Sequence, residues 1–344
     1  MTKSHDLKSL GWSADFLRQI EVDEIGVLEP ARVTAVHRDR LDAIAETGTV
    51  SLRLPPGLST GEVAVGDWVL IDPARSHVAR ILDRKSLLHR RAAGIEARDQ
   101  LIAANVDTLF ITTSLNADFN PARLERYLAM AYEGDVTPVL VLTKADLCDD
   151  PAPYLDTLRA IAPTVAVVVL DARDPGVAAE LADWCGPGQT VALLGSSGVG
   201  KSTLASTLTG AQIATQDIRE DDAKGRHTTT AREFHALATG GWLIDTPGMR
   251  ELQLAGTSRG IDTVFEDIAE LAAACRFSDC AHESEPGCAV KDAIARGELS
   301  RDRLERWHKL KREDARNSES AAEAHARNRV FGRVVKQVKK IKRR

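Results

Sequence analysis

Strand–helix alternation between about residues 100 and 250, a run of short strands before it and a Cys/His cluster after it predict a multidomain chain. The order is an N-terminal β-barrel, a central doubly wound α/β domain and a C-terminal helical domain that holds a metal. The expected boundaries are an N-terminal extension over residues 1–30, a barrel over 31–95, the α/β domain over 96–256 and the metal-binding domain with its basic tail over 257–344.

In chain order, residues 13–20 can form a short amphipathic helix with no assigned chemistry. Residues 31–88 carry the short runs ARVTAVHRD, LDAIAE, TVSLRL, GDWVLID and HVARIL, punctuated by Gly61, Gly66 and Pro55-Pro56. Several short strands in so few residues suggest a small closed barrel, of which the OB-fold is the expected kind. Arg84, Lys85, His89, Arg90 and Arg91 follow it and would suit a phosphate backbone, although few aromatic residues are present to stack on bases. DTLFITT and TPVLVLT then read as apolar strands around the helical stretch PARLERYLAMAYE, with Leu124, Tyr127, Leu128 and Ala131 on one face. TVAVVVL gives a further strand and PGVAAELADW a further helix. Apolar strands without alternation fit a parallel sheet covered on both faces. Residues 215–232 break the pattern as a long polar loop, and EFHALAT and WLID return to strands.

The central domain is organised around residues 191–204, VALLGSSGVGKSTL. Gly195, Ser196, Ser197, Gly198, Val199, Gly200, Lys201 and Ser202 match the phosphate-loop spacing between a strand and a helix. The glycines let backbone N–H groups turn inward to cradle phosphate oxygens. Lys201 neutralises the β- and γ-phosphates, the Ser202 hydroxyl ligates Mg²⁺, and Thr203 opens the helix whose positive end faces the anion.

Three further signals narrow the nucleotide. Thr143, Lys144, Ala145 and Asp146 end an apolar strand, where open α/β sheets bind ligands. A carboxylate at Asp146 can accept from N1–H and the exocyclic amine of guanine, a pair that adenine lacks, while the Lys144 stem can cover the base. Asp171-Ala172, after the next strand, can supply a backbone N–H to the base. Asp245 ends the strand before Thr246-Pro247-Gly248, a place from which an acid holds Mg²⁺ through water. Gly248 can offer its N–H to the γ-phosphate and swing when that phosphate leaves. The polar loop carries GRHTTT, in which Thr230 is the expected third Mg²⁺ ligand and switch residue. Met249 stands where Ras-like enzymes have a water-orienting Gln, so intrinsic hydrolysis should be slow and His227 is the candidate to position water.

Cys275, Cys280, His282 and Cys288 have C-x₄-C-x-H-x₅-C spacing. Three thiolates and an imidazole suit one structural, tetrahedral Zn²⁺ with no open position. The tail from Arg327 to Arg344 is basic and holds no acid, despite a net charge of −5 for the chain, and such blocks often contact nucleic acid. No apolar run has membrane-spanning length and no signal-peptide layout opens the chain, so a cytoplasmic, non-membrane protein is expected, as a monomer.

In Ras-like GTPases the base-reading motif follows the phosphate loop, whereas here TKAD precedes it. A circularly permuted GTPase domain explains the order. With the barrel in front and the Cys/His cluster behind, the chain resembles the ribosome small subunit-dependent GTPase family, RsgA or YjeQ. The motifs ANVD, LTKADL, GSSGVGKSTL, GRHTTT, DTPGMRE and CRFSDCAHESEPGCAV carry the resemblance over nearly the whole chain. Two positions depart from the general GTPase pattern. Thr143 replaces an Asn whose amide ties adjacent loops, although the family accepts Thr there. Asp171-Ala172 replaces a Ser-Ala pair. The resemblance implies GTP hydrolysis with Mg²⁺, stimulated by the small ribosomal subunit, contact with its rRNA, a role in late assembly, and a catalytic histidine at the position of His227. Two other functions fit the residues: an RNA-binding factor whose nucleotide site only stabilises the fold, and a GTPase with a protein or metal-delivery target.

Overall fold

The computed structural model describes residues 5–74, 76–91, 99–211, 233–245 and 254–318. The chain divides into two compact units, residues 1–89 with 101–251, and residues 90–100 with 252–344.

The first unit opens with five strands, β1 (Glu29–Val36), β2 (Leu41–Ala45), β3 (Gly48–Leu52), β4 (Trp68–Asp72) and β5 (His77–Ile81). They pair antiparallel in the order β3-β2-β1-β4-β5. The two edges meet: Arg53 N–H donates to the Ser76 carbonyl at 3.2 Å, and Val78 N–H to the Arg53 carbonyl at 3.0 Å. That isolated parallel bridge brings the two edge strands together at one end. Alternation along β2 turns Leu41, Ala43 and Ala45 inward, against Val33, Leu52, Val69, Ile71 and Val78. β6 (Leu87–Arg91) and β7 (Asp99–Ala104), an extended pair that the basic run at residues 84–91 did not suggest, form a two-stranded ribbon.

The N-terminal segment, given no role by its sequence, has a packing role. Leu10 and Phe16, the latter on α1 (Ala14–Leu17), join Trp68, Leu70, Leu82 and Trp242 in one buried cluster. Trp12 stands edge-on to Trp68 at 4.8 Å, and the Trp242 indole donates to the Ser9 carbonyl at 2.8 Å. Beside this cluster lies Arg32, a fully buried guanidinium on β1. It donates to the carbonyls of Leu10, Gly66 and Asn105, at 3.0 Å for the last, and lies 4.9 Å from the centre of the Phe234 ring. Burial lowers its pKa to about 10, which leaves it cationic at neutral pH. One side chain with five donors thus satisfies backbone from three segments.

The α/β part is a six-stranded sheet in the order β10-β9-β8-β11-β13-β12. Its strands are β8 (Thr108–Ser114), β9 (Thr137–Thr143), β10 (Ala166–Val169), β11 (Thr190–Leu194), β12 (Glu233–Ala236) and β13 (Trp242–Asp245). All neighbours are parallel except β12, which folds back antiparallel on β13. The sheet is therefore mixed at one edge, where a short connection joins consecutive strands. β8 is buried along its whole length, as a strand covered on both faces must be. α2 (Pro121–Glu133) starts with Pro in its first turn, and the Asn120 side chain caps it by accepting from Arg123 N–H at 3.1 Å. α3 (Ala152–Ile161) follows β9. The single helix expected over PGVAAELADW is two, α4 (Val177–Glu180) and α5 (Ala182–Cys185), which break at buried Leu181, whose backbone leaves the helical region. α6 (Lys201–Thr209) follows β11.

The second unit contains α7 (Ser258–Val264), α8 (Glu266–Ala273), α9 (Ala289–Ala295) and α10 (Arg301–Ser318). Arg303 on α10 grips Asp267 of α8 through two bonds, at 2.6 and 2.9 Å. Asp314 accepts from both the N–H and the hydroxyl of Thr257. Among the described residues no helix is long and apolar enough to cross a membrane.

Candidate nucleotide and metal sites

β11 delivers the chain to the phosphate loop at the C-terminal edge of the sheet. Gly195 must be glycine, since a Cβ there would lie 2.2 Å from the Thr112 carbonyl of neighbouring β8. Gly200 has φ +94° and caps α6, a backbone that other residues adopt only with strain. Lys201 lies in the first turn, and its Nζ donates back to the Ser196 carbonyl at 2.5 Å, so the side chain spans its own loop. Ser202 and Thr203 lie in the same turn. The Ser196 hydroxyl donates to Asp118 at 2.5 Å, and Arg123 pairs with that same carboxylate at 2.7 Å.

The end of β9 is tied directly to this loop. Thr143 is fully buried, and its Oγ1 lies 2.5 Å from the Val199 carbonyl and 3.2 Å from the Thr113 carbonyl. A hydroxyl has one proton, so it donates to the nearer Val199. The hydroxyl at this position thus ties the end of β9 to the loop after β11. The end of β10 joins them. The Thr207 hydroxyl of α6 donates to the Ala172 carbonyl at 2.7 Å, and a Cβ on Gly200 would lie within 3.8 Å of both Thr143 and Ala172. Residues far apart in sequence, 143, 172 and 195–203, thus converge on one sheet edge. Asp245 ends β13, which pairs with β11 through Ala192 and Ile244, and so shares that edge.

Lys144 adopts a left-handed backbone, φ 61°, and starts the 3₁₀ turn of Ala145 and Asp146. Asp146 is paired. Arg173 Nη2 donates to its Oδ2 at 2.6 Å and to Asp171 Oδ2 at 2.9 Å, while Arg173 Nε donates to Asp171 Oδ1 at 3.0 Å. These bonds hold the Asp171 carboxyl below the usual carboxylate range. His227, Thr230 and Gly248 lie outside the described residues, as does the tail from Arg327 to Arg344.

The Cys/His cluster belongs to the second unit, between α8 and α9. The donor atoms of Cys275, Cys280, His282 and Cys288 all lie within 4.8 Å of one another. Cys275 and Cys288 sulfurs are 3.9 Å apart, and His282 Nδ1 is 3.6 and 3.4 Å from them. Tetrahedral zinc bond lengths require edges of about 3.8 Å for S···S and about 3.6 Å for S···N. The four residues fit zinc in donor type, and the three edges among Cys275, Cys288 and His282 fit its spacing. Burial, reinforced by the neighbouring thiols, pushes Cys280 up to about 11. Burial also opposes ionisation of Cys275, but hydrogen bonds from the Val290 and Ala289 amides and from the Cys280 and Cys288 thiols together hold that thiol below its ordinary value. The His282 ring packs against Trp307 at 5.6 Å.

Sequence reasoning missed Asp118, Arg123, Arg173 and Arg32. Of these, Arg173 directly follows Asp171-Ala172, and that proximity was the available signal.

The model for the RsgA GTPase family matches residues 81–255. The chain belongs to the RsgA GTPase family. Among its relatives, the small ribosomal subunit biogenesis GTPase RsgA of Mesorhizobium japonicum is 55% identical over 319 residues, 92% of each chain. The small ribosomal subunit biogenesis GTPase RsgA 2 of Vibrio parahaemolyticus is 47% identical over 100% of this chain and 96% of its own. The fold is similar to that of YjeQ from Thermotoga maritima, with TM-score 0.60 and 24% identity over 82% of this chain and 97% of that one. It is also similar to YloQ, a circularly permuted GTPase, with TM-score 0.59 and 22% identity over 88% of this chain and 100% of that one. The fold is that of a circularly permuted GTPase, with a β-rich N-terminus and a Cys₃His cluster near the C-terminus.

Proposed function

We propose that the protein is a GTP hydrolase that binds the small ribosomal subunit late in its assembly and leaves after hydrolysis. The observation that carries this is the 55% identity, over 92% of the chain, to a small ribosomal subunit biogenesis GTPase. The convergence of Thr143, Ala172 and the phosphate loop on one sheet edge supports a single pocket for base and phosphates.

In that pocket Asp146 reads guanine, Lys144 covers it, and Ala172 N–H faces the base. The backbone of residues 195–200 cradles phosphates, and Lys201 moves from the Ser196 carbonyl to the β- and γ-phosphates. Ser202, Asp245 and Thr230 would hold Mg²⁺, which would supply positive charge to the phosphates. Gly248 senses the γ-phosphate, and His227 positions water when the small subunit is bound. If His227→Ala leaves subunit-stimulated turnover intact, that role is wrong.

The five-stranded sheet is read as an OB barrel, and zinc at Cys275, Cys280, His282 and Cys288 as a structural staple. Barrel, zinc module and basic tail would contact rRNA phosphates in a salt-sensitive way. A monomer in the cytoplasm fits this role. Turnover of GTP and ATP, each with and without purified small subunits, tests the proposal. Stimulation of GTP turnover alone is expected, and equal use of both nucleotides with no effect of subunits would reject it.

A further inference from the structure

Arg173 holds the carboxylate oxygen that a base would need. Its Nη2 sits 2.6 Å from Asp146 Oδ2, and its Nε and Nη2 grip Asp171 at 3.0 and 2.9 Å. A third bond ties Arg173 to Asp171 locally, since the Arg173 backbone N–H also donates to Asp171 Oδ1 at 3.0 Å. A guanidinium presents two N–H donors flanking one carbon. The N1–C2–N2 edge of guanine presents the same pattern. Asp171 is the anchor, because its fork keeps the guanidinium beside Asp146 whether or not Asp146 is free to hold it. Exposed ion pairs contribute little stability by themselves. The consequence of this one lies in which oxygen it covers.

We propose that Arg173 is a specificity-determining residue that stands in for the exocyclic amine of guanine at Asp146, so that guanine competes with it for one carboxylate oxygen. The inference rests on the reading of Asp146 as the base-reading carboxylate. A base with two donors needs both oxygens of Asp146, so its amine competes with Nη2 for Oδ2. Hypoxanthine has N1–H but no amine, needs one oxygen, and leaves Arg173 in place. The preference for guanine over hypoxanthine nucleotides is therefore narrower than a bare Asp146 would give. The displaced guanidinium keeps two bonds to Asp171 and continues to cancel its charge beside a polyanionic ligand. The site thus keeps the net charge of one carboxylate although it contains two.

The test is calorimetric titration of GDP and IDP into the full chain, as wild type, Arg173→Ala, and the double variant Asp171→Ser with Arg173→Ala. The single variant leaves Asp171 uncompensated, which weakens both nucleotides alike, so the GDP/IDP affinity ratio is the readout. The double variant removes both charges together. Arg173 is exposed, and matched thermal melts confirm folding of each variant. The ratio is expected to widen by about fivefold in both variants, the scale of one exposed ion pair. A ratio unchanged within twofold, or one that narrows, overturns the inference. Asp146→Asn, titrated with GDP and xanthosine diphosphate, separates the two levels. If it keeps GDP and gains no xanthosine diphosphate, the reading of Asp146 fails and takes the inference with it. If it switches as expected while the Arg173 ratio stays fixed, only the role of Arg173 fails.

Discussion

Thr143→Val removes the hydroxyl that joins the base-side strand to the phosphate loop while keeping nearly the same volume. The Val199 carbonyl, 2.5 Å from Thr143 Oγ1, then loses its donor inside a region closed to water. An unsatisfied buried acceptor costs about 1–3 kcal/mol, and relief of burying the hydroxyl itself returns part of that. A net loss of about 1 kcal/mol is expected, or about fivefold in an equilibrium constant. It should fall on nucleotide affinity, because Val199 is part of the loop proposed to cradle phosphate. Titration of GDP into wild type, Thr143→Val and Thr143→Ser, alongside urea unfolding of each, checks this. The Val variant should bind GDP about fivefold more weakly, and the Ser variant, which keeps the donor, should bind as wild type does. If Thr143→Val binds GDP as wild type does, the hydroxyl does not couple the two halves of the pocket.

Arg32→Met strips its donors from the carbonyls of Leu10 and Asn105, while Gly66 keeps the Asn105 amide at 3.0 Å, and should lower the unfolding free energy of the first unit by about 2 kcal/mol, read from denaturant melts. Arg32→Lys should not rescue it, since one ammonium cannot span three segments. Removal of metal by a chelator should release one zinc per chain, measured by elemental analysis, and loosen the second unit to proteolysis while residues 99–211 stay protected. Cys280, pushed up to about 11, carries its proton at neutral pH and must lose it to bind metal. Zinc affinity should therefore rise with pH across the neutral range, with proton release seen by calorimetry in buffers of different ionisation enthalpy.

The strands of the α/β sheet were legible because strands buried on both faces are written as uninterrupted apolar runs such as TPVLVLT. The strands of the five-stranded sheet were legible from alternation and turn residues. The glycine-rich loop after β11 and the Cys₃His cluster could be read because the chemistry proposed for them fixes residue type and spacing together. What stayed hidden depends on tertiary pairing. Arg32 is one basic residue among many until folding surrounds it with three carbonyls. Leu10 and Phe16 look like a frayed end until Trp68 and Trp242 cover them. Thr143 reads as a defect because its acceptor, the Val199 carbonyl, is a backbone atom 56 residues away. The pairing of Asp146 with Arg173, 27 residues on, leaves no local pattern at all.

The central claim is that Asp146 and Lys201 serve one ligand from opposite ends of one pocket. Hydrolysis of xanthosine triphosphate by Asp146→Asn, with and without a second change, Lys201→Ala, tests it most directly. The account predicts that the single variant loses use of GTP and gains use of xanthosine triphosphate, and that Lys201→Ala abolishes the gained activity. Retained GTP turnover with no gain for xanthosine triphosphate would contradict it.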